Sequence, residues 1–261
     1  MRSDAVELEE GRLNGIESME DYSSVHERHR IFPDIFEDRA HRSILDISAG
    51  VGIVGKRVMD SYNAEVVCNE ISPTALKTIE RAGLRTISFD IDDAGHPFPL
   101  PDGCFDAVIS LATIEHLVHI DHFIQEIRRI LSNEGRFYVS APNYSGLLYL
   151  IPFLLTGKTF HDPMSKESRY EFYAHIRYFT YRTLVELVSS LGFVFEAVYL
   201  PLPKESSRYK KLKQGSQLVA HMFRISMGLA YRISPRWASE PVLCFRKSGG
   251  GGSSGIRKVI L

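Results

Sequence analysis

The chain has 261 residues, a formal net charge of −1 at pH 7 and three cysteines. This length suits one α/β core with an added cap, and the near-neutral charge excludes the basic surface that non-specific nucleic-acid binding needs. The cysteines lie far apart and form no C-x-x-C pair, which argues against a disulfide framework or a cysteine zinc site and predicts a cytoplasmic protein.

The N-terminal segment, residues 1–42, reads as a polar, acidic start followed by helix. It lacks the apolar run of a secretory signal. The longest apolar run of the chain, residues 146–155, is too short to span a bilayer and contains a proline. We therefore expect a chain that does not cross a membrane.

A glycine-rich bend follows the first predicted strand, in the stretch Ile44 to Gly55, ILDISAGVGIVG. Glycines let the main chain approach a ligand closely, and the amides that open the following helix can bind its negative end. Gly50, Gly52 and Gly55 match the dinucleotide pattern G-x-G-x-x-G. A phosphate-binding P-loop is disfavoured because Arg57 stands where a magnesium-binding Ser or Thr is required.

Asp46, directly before the bend, distinguishes between the remaining ligands. A carboxylate there would repel the pyrophosphate of a dinucleotide, whereas it suits a ligand with a nearby ammonium or sulfonium group. With Asp46 included, the segment resembles motif I of the class I S-adenosylmethionine-dependent methyltransferases, usually written D-x-G-x-G-x-G. Ser48 stands at the first glycine of that pattern.

Four further segments resemble the same family and come in its order. They are the strand-like segment ending in Glu70, the one ending in Asp90 or Asp92, the turn and strand PFPLPDGCFDAVIS from Pro97 to Ser110, and the "EHL" element at Glu115 to Leu117. The segment His175 to Thr180, HIRYFT, resembles the family passage H-x-R-x-F-T. The resemblance covers about residues 30–200.

The resemblance implies a fold, a cofactor and a set of cofactor-binding residues. The fold is α/β, a seven-stranded and mostly parallel Rossmann-like sheet with helices on both faces, and the cofactor is S-adenosyl-L-methionine. Glu70 would accept hydrogen bonds from the ribose hydroxyls, and Asp90 would meet the adenine amino group. The implied cofactor-binding residues are Asp46, Ser48, Ala49, Gly50, Gly52, Glu70, Ile71, Asp90, Ile91, Leu111 and Glu115.

The hydrophobic pattern supports this fold independently of the resemblance. Residues 122–131 place apolar side chains on one helical face and charges on the other. Alternating strands and helices indicate a parallel sheet, whose ligands bind at the carboxyl ends of its strands. We expect Asp106, at the start of the fourth strand, to be structural.

Two insertions, about residues 144–178 and 201–240, are expected to form a cap on a domain spanning 43–247. Histidine can act as a base near neutral pH, so His116 is the first catalytic candidate, followed by His175, His161 and Tyr170. No metal site is predicted. His116, His119 and His122 are three residues apart on a helix, and their side chains would diverge too far to bind one ion.

The insertion 201–240 and the C-terminus carry less specific signals. The helix near 215–232 mixes apolar and basic residues, which fits either a cap helix with a solvated face or a surface for an anionic or lipid-linked acceptor and a membrane. Residues 248–255 read as a flexible Gly/Ser linker before a short apolar peptide, 256–261.

These observations predict a methyltransferase that acts on a small-molecule, saccharide or lipid-linked acceptor, preferably at oxygen. Two alternatives remain open at this stage, an NAD(P)-dependent oxidoreductase and a non-catalytic cofactor-binding or partner-binding module. The sequence does not identify the acceptor or the oligomeric state.

Overall fold

The computed structural model describes residues 3–22, 24–158, 161–165, 169–249 and 255–261. Strands and helices alternate through most of the chain. The strands are β1 Ser43–Ile47, β2 Glu65–Asn69, β3 Arg85–Ile87, β4 Phe105–Leu111, β5 Leu131–Ser140, β6 Phe193–Leu200, β7 Val242–Lys247 and β8 Arg257–Ile260. The helices are α1 Ser3–Arg12, α2 Glu27–Arg30, α3 Ile53–Ser61, α4 Pro73–Arg81, α5 Ile120–Ile130, α6 Leu147–Thr156, α7 Arg169–Ala174, α8 Tyr181–Ser190, α9 Ser207–Gly215 and α10 Gln217–Ile233.

The strands form one sheet with the order β3-β2-β1-β4-β5-β7-β6-β8. Neighbouring strands run parallel except β7, which is antiparallel to both β5 and β6. The predicted α/β class and mostly parallel sheet are confirmed.

The predicted strand count of seven is wrong, because the sheet has an eighth strand. β8 comes from the C-terminal apolar peptide and pairs in parallel with β6. The Leu261 amide donates to the Leu200 carbonyl at 3.0 Å, which extends the pairing by one residue. Of the predicted flexible linker, residues 250–254 lie outside the described residues.

Hydrophobic side chains cover both faces of the sheet, as alternation along β5 shows. Phe137 and Val139 belong to a core cluster with α5 and α8, whereas Tyr138, between them, packs into a second cluster with α3 and α4. In a parallel sheet both faces are buried by the crossover helices. The carboxyl ends of the strands are therefore the open edge of the sheet.

Asp106 anchors the start of β4, as expected for a structural residue. Its carboxylate accepts hydrogen bonds from the amides of Arg42 at 2.9 Å and Ser43 at 3.2 Å. Over the described residues, none of the helices is long and apolar enough to cross a membrane.

Candidate functional site

The bend between β1 and α3 needs an unusual backbone. Ser48, Gly50 and Gly52 have φ values of 57°, 58° and 84°. A Cβ added to Gly52 would lie 2.9 Å from side-chain atoms of Ile79 and Met19, whereas one added to Gly50 would meet nothing within 4 Å. Packing therefore requires a glycine at position 52, and the main chain at Gly50 faces open space that a ligand can approach.

A hollow opens to solvent beside this bend, at the carboxyl ends of the strands. Its lining residues are Ser48, Asn69, Glu70, Ile71, Asp90 and Ile91. Sequence reasoning named all of these except Asn69. The available signal was the position of Asn69 at the end of β2, directly before Glu70. The side-chain amide of Asn69 donates a hydrogen bond to the Phe89 carbonyl at 3.3 Å.

Glu70 links the hollow to the glycine bend. Its carboxylate accepts hydrogen bonds from the amides of Gly50 and Ile71, both at 2.8 Å, and of Ser72 at 3.3 Å. The side chain is buried, and burial raises its pKa despite these donors. Glu70 thus braces the bend and presents a carboxylate at the wall of the hollow.

Asp46 is not among the residues that line the hollow. It is 4% exposed, and its Oδ2 accepts a hydrogen bond from the Gly55 amide in the first turn of α3 at 3.1 Å. Burial raises the pKa of Asp46 to about 7, and the Glu70 charge adds to the effect. The sequence-based expectation that this carboxylate faces the ligand is therefore not what the geometry shows.

The other predicted cofactor residues surround the bend and the ends of β3 and β4. Ala49 donates its amide to the Asn69 carbonyl at 3.0 Å, and both Ala49 and Leu111 pack against the second core cluster. Asp90 accepts a hydrogen bond from the Asp92 amide at 2.9 Å. Asp92, the fallback for the adenine contact, instead accepts the amides of Val118 and His119 and braces that loop.

A second group of polar side chains lies past the end of β4. Glu115 and His116 stand on the turn Ile114–His116, and His175 follows α7. The amides of Ile176 and Arg177 both donate to the Glu115 carbonyl, at 3.1 and 3.2 Å, so the two segments are joined through the backbone. The structure thus brings together Glu115, His116 and His175, which sequence reasoning had singled out separately.

Arg177 holds the segment that carries His175 against the turn that carries Glu115 and His116. Its guanidinium donates to the carbonyls of Leu117 at 2.8 Å and Val118 at 2.6 Å. Because guanidinium is a permanently charged multiple donor, Arg177 locks the second segment onto the first and sets the position of His175.

Tyr144 and His161 complete this group. The Tyr144 hydroxyl lies 2.8 Å from His161 Nε2 and 3.0 Å from His175 Nδ1. Burial is the main cause that lowers the pKa of His116 and that of His161, and it lowers the pKa of His175 to about 3. The histidines are therefore neutral at pH 7. Sequence reasoning missed Tyr144, which no motif marks.

The N-terminal helix contacts the start of α4, next to the hollow. Glu10 accepts hydrogen bonds from the Ser72 hydroxyl and from the amide and hydroxyl of Thr74, the last two at 3.0 and 2.7 Å. Leu13 is fully buried and packs in one cluster with Val51. This segment therefore contacts both loops that form the hollow.

Comparison with known proteins agrees with this geometry. Residues 45–139 match the family model described as a methyltransferase domain. This chain carries a methyltransferase domain. Together with the motifs and the sheet described above, the match shows that residues 45–139 resemble the class I, S-adenosylmethionine-dependent type.

Similar curated proteins match over part of the chain. Ajmaline N-methyltransferase of Rauvolfia serpentina is 36% identical over 107 residues, which are 39% of this chain and 36% of that protein. Malonyl-[acyl-carrier protein] O-methyltransferase of Geobacter sulfurreducens is 32% identical over 124 residues, 44% of this chain and 45% of that protein. The chain thus spans less than half the length of these relatives.

A solved structure extends the likeness in fold to most of the chain. Phosphoethanolamine N-methyltransferase 2 of Haemonchus contortus, in complex with S-adenosyl-L-methionine, superposes with a TM-score of 0.56 at 16% identity. The superposition covers 94% of this chain and 57% of the other. The residues lining the hollow, Glu115 and His116 lie inside the methyltransferase domain, whereas His161 and His175 lie beyond it.

Proposed function

We propose that this chain transfers a methyl group from S-adenosylmethionine to a small-molecule or lipid-linked acceptor, preferably at an oxygen atom. The observation that carries the proposal is the pairing of two features at one sheet edge. A hollow walled by Glu70 and Asp90 opens beside the glycine bend, and the group of Glu115, His116 and His175, of which His116 is half-buried, follows the neighbouring strand β4.

The hollow has the chemistry that the adenosyl part of the donor requires. Glu70 and Asp90 supply carboxylates for ribose hydroxyls and an adenine amino group, and the open side of Gly50 leaves room for the ligand along the bend. The donor supplies a methyl group that its sulfonium already activates. The protein then has to align the acceptor, exclude water and remove a proton.

His116 is suited to remove that proton. Its Nδ1 lies 2.9 Å from the Ala174 carbonyl oxygen, which only accepts hydrogen bonds. Nδ1 therefore carries the proton, and Nε2 has a free electron pair that can take the acceptor hydroxyl proton. His175 is the second candidate. Its Nδ1 is hydrogen-bonded to the Tyr144 hydroxyl, which can donate or accept, and its Nε2 is the nitrogen left for an acceptor.

Calorimetric titration with S-adenosylhomocysteine, NAD and NADP tests the donor assignment. We expect one S-adenosylhomocysteine per chain and no binding of either dinucleotide. The variant Glu70→Gln should bind about 10- to 100-fold more weakly, because hydrogen bonds to a carboxylate are worth about 1.5–3 kcal/mol. Glu65→Gln, at the exposed start of the same strand, is the matched control. Tight NAD binding would contradict the proposal.

Turnover with a panel of hydroxylated acceptors tests the role of His116. The variant His116→Ala should retain S-adenosylhomocysteine binding and lose about 100-fold or more in methyl transfer, as general base catalysis contributes about 10²–10⁴-fold. Full activity in this variant would remove His116 from the mechanism. Cofactor binding without turnover by the unmodified chain would favour a non-catalytic module.

We also propose that α9 and α10 dock on an anionic membrane that presents the acceptor. The exposed apolar residues of α10 recur along one helical stripe, namely Leu218, Met222, Ile225, Leu229 and Ile233. Residues 204–236 contain eight Lys or Arg and one acid, Glu205. Apolar side chains beside basic ones match an anionic lipid surface.

The helix α6 extends this surface. Leu154 and Leu155, near its end, are 70% and 79% exposed. Along the chain, α6 precedes the strand β6 and α9 follows it. Both helices belong to the two insertions that were expected to form a cap.

Sedimentation with vesicles of phosphatidylcholine, with and without phosphatidylserine, tests the docking surface. The triple substitution of Lys210, Lys211 and Lys213 by Gln should weaken binding to the anionic vesicles about 100-fold, at about 1 kcal/mol per charge. The double variant Lys56→Gln, Lys77→Gln serves as the control. Equal binding to neutral and anionic vesicles would contradict the charge argument.

The reaction is assigned to the cytoplasm on the basis of cysteine usage. All three cysteines, Cys68, Cys104 and Cys244, are free, and the first and third are buried. Free thiols persist in a reducing compartment.

A further inference from the structure

Glu115 is a buried carboxylate whose side chain has no dedicated partner. It is 0% exposed, and within the described part of the chain neither of its oxygens accepts a hydrogen bond from another residue. The cation whose charge acts on it, Arg28, forms an ion pair with Glu240 at 3.2 Å. Leaving a carboxylate in this state is costly, and such groups in native proteins are usually satisfied by a ligand or an ion.

Two histidines offer their ring nitrogens to the same place. One ligand atom each from Glu115, His116 and His175 can be chosen so that all three lie within 4.8 Å of one another. A tetrahedral ion with ligands about 2.1 Å away separates ligand atoms by about 3.4 Å. The atoms therefore need to approach by at most about 1.4 Å, which is within reach of side-chain rotations.

The outer contacts of the histidines are those of metal ligands. His116 donates from Nδ1 to the Ala174 carbonyl, and Nδ1 of His175 is hydrogen-bonded to the Tyr144 hydroxyl. Metal-binding histidines have their second ring nitrogen fixed by such a partner, which orients the ring and its electron pair.

We propose that Glu115, His116 and His175 form a binding site for a divalent transition-metal cation such as Zn²⁺. Two imidazoles and one carboxylate suit zinc and its neighbours in the first row, and three protein ligands leave one position open. The site does not depend on the proposed methyl transfer. If methyl transfer takes place here with the cation bound, His116 Nε2 would be a metal ligand and not the base, and the cation at its open position would polarise the acceptor oxygen and ease loss of its proton.

The sequence alone predicted no metal, because His116, His119 and His122 would diverge on a helix. His119 instead lies beside Asp92, with Nδ1 2.7 Å from its backbone carbonyl oxygen. The third ligand of the proposed site, His175, comes from a segment nearly sixty residues further along. Arg177 and the Glu115 carbonyl place that segment.

Direct metal binding to the chelator-stripped full chain tests the proposal. We expect one Co²⁺ per chain with visible absorption bands of a low-coordinate site, and displacement by one Zn²⁺ in calorimetry. The variants Glu115→Gln and His175→Gln should each lower the affinity about 100-fold or more, because each removes one of three ligands. His96→Gln, an exposed histidine beside Asp93, is the matched control and should leave the affinity unchanged.

Circular dichroism and urea unfolding show whether each variant is folded. If Glu115→Gln does not fold, Tyr144→Phe, which removes the outer partner of His175, should lower the Co²⁺ affinity about 10-fold. Absence of one-to-one binding in the unmodified chain would overturn the proposal. Unchanged Co²⁺ affinity in both Glu115→Gln and His175→Gln would also overturn it, and so would loss of Co²⁺ affinity in His96→Gln. No donor or acceptor is needed, so the result is independent of methyl transfer.

Discussion

Replacing Asp46 by asparagine should remove a pH dependence of folding that this carboxyl group imposes on the chain. Asp46 lies in β1, is 4% exposed and accepts one hydrogen bond, from the Gly55 amide. Burial raises its pKa from an ordinary value of 3.8 to about 7 in the folded chain. Between pH 3.8 and about pH 7, therefore, the Asp46 carboxyl group keeps its proton in the folded state and has lost it in the unfolded state.

The sign of the effect follows from this difference. The stabilisation is fully present below pH 4 and is lost as the pH rises through 7, because the folded state must then carry a buried charge. Relative to its value well above pH 7, the contribution is roughly 3 kcal/mol at pH 5 and roughly 1 kcal/mol at pH 6, and it vanishes by pH 8. The asparagine variant has no titrating group at this position and keeps an oxygen for the Gly55 amide.

Urea unfolding of both proteins at pH 5, 6, 7 and 8 measures this directly. The difference in the free energy of unfolding between the natural chain and Asp46→Asn should fall by roughly 3 kcal/mol over that range. Asp21→Asn is a contrasting control. Hydrogen bonds from Ser18 and Glu17 lower the pKa of Asp21, so its effect is lost only as the pH falls below 4. Parallel curves for Asp46→Asn and the natural chain would refute the reasoning.

Three further outcomes test the packing around the site. Gly55→Ala should destabilise the chain by about 1–3 kcal/mol in thermal unfolding, because the added Cβ would lie 2.7 Å from Cys68 Sγ. Gly11→Ala is the control and should be neutral or stabilising, because its Cβ would point into open space. Leu13→Ala should cost about 2–5 kcal/mol of local stability and weaken S-adenosylhomocysteine binding in calorimetry, and unchanged affinity would separate α1 from the hollow. Removal of residues 255–261 should expose the edge of β6 and raise light scattering on heating, and an unaltered monomer would count against β8 as a protecting strand.

Local sequence was sufficient to predict most of the residues that line the hollow. Strand ends, glycines and acids occur there within a few residues of one another, and parallel strands bring their carboxyl ends to one edge. Glu70 and Asp90 line the hollow as their positions after β2 and β3 predict. The same reasoning was less reliable for Asp46, because a strand buried on both faces carries no alternation to show which way a side chain points.

Two features that depend on residues far apart in the chain, the eighth strand and the contacts of Tyr144, were not predicted from the sequence. The eighth strand follows a Gly/Ser stretch that reads as a linker, and its pairing with β6 depends on an edge that exists only in the folded sheet. Tyr144 carries no local signal, yet its hydroxyl lies between His161 and His175.

The sequence by itself determined the α/β class, the glycine bend and the acids around the hollow, because each depends on residues close together in the chain. Only the tertiary structure decided that Glu115, His116 and His175 share one buried place and that Asp46 faces α3. Those relations arise from contacts between segments far apart in sequence, whose geometry is set by packing and by backbone hydrogen bonds such as those to Glu115.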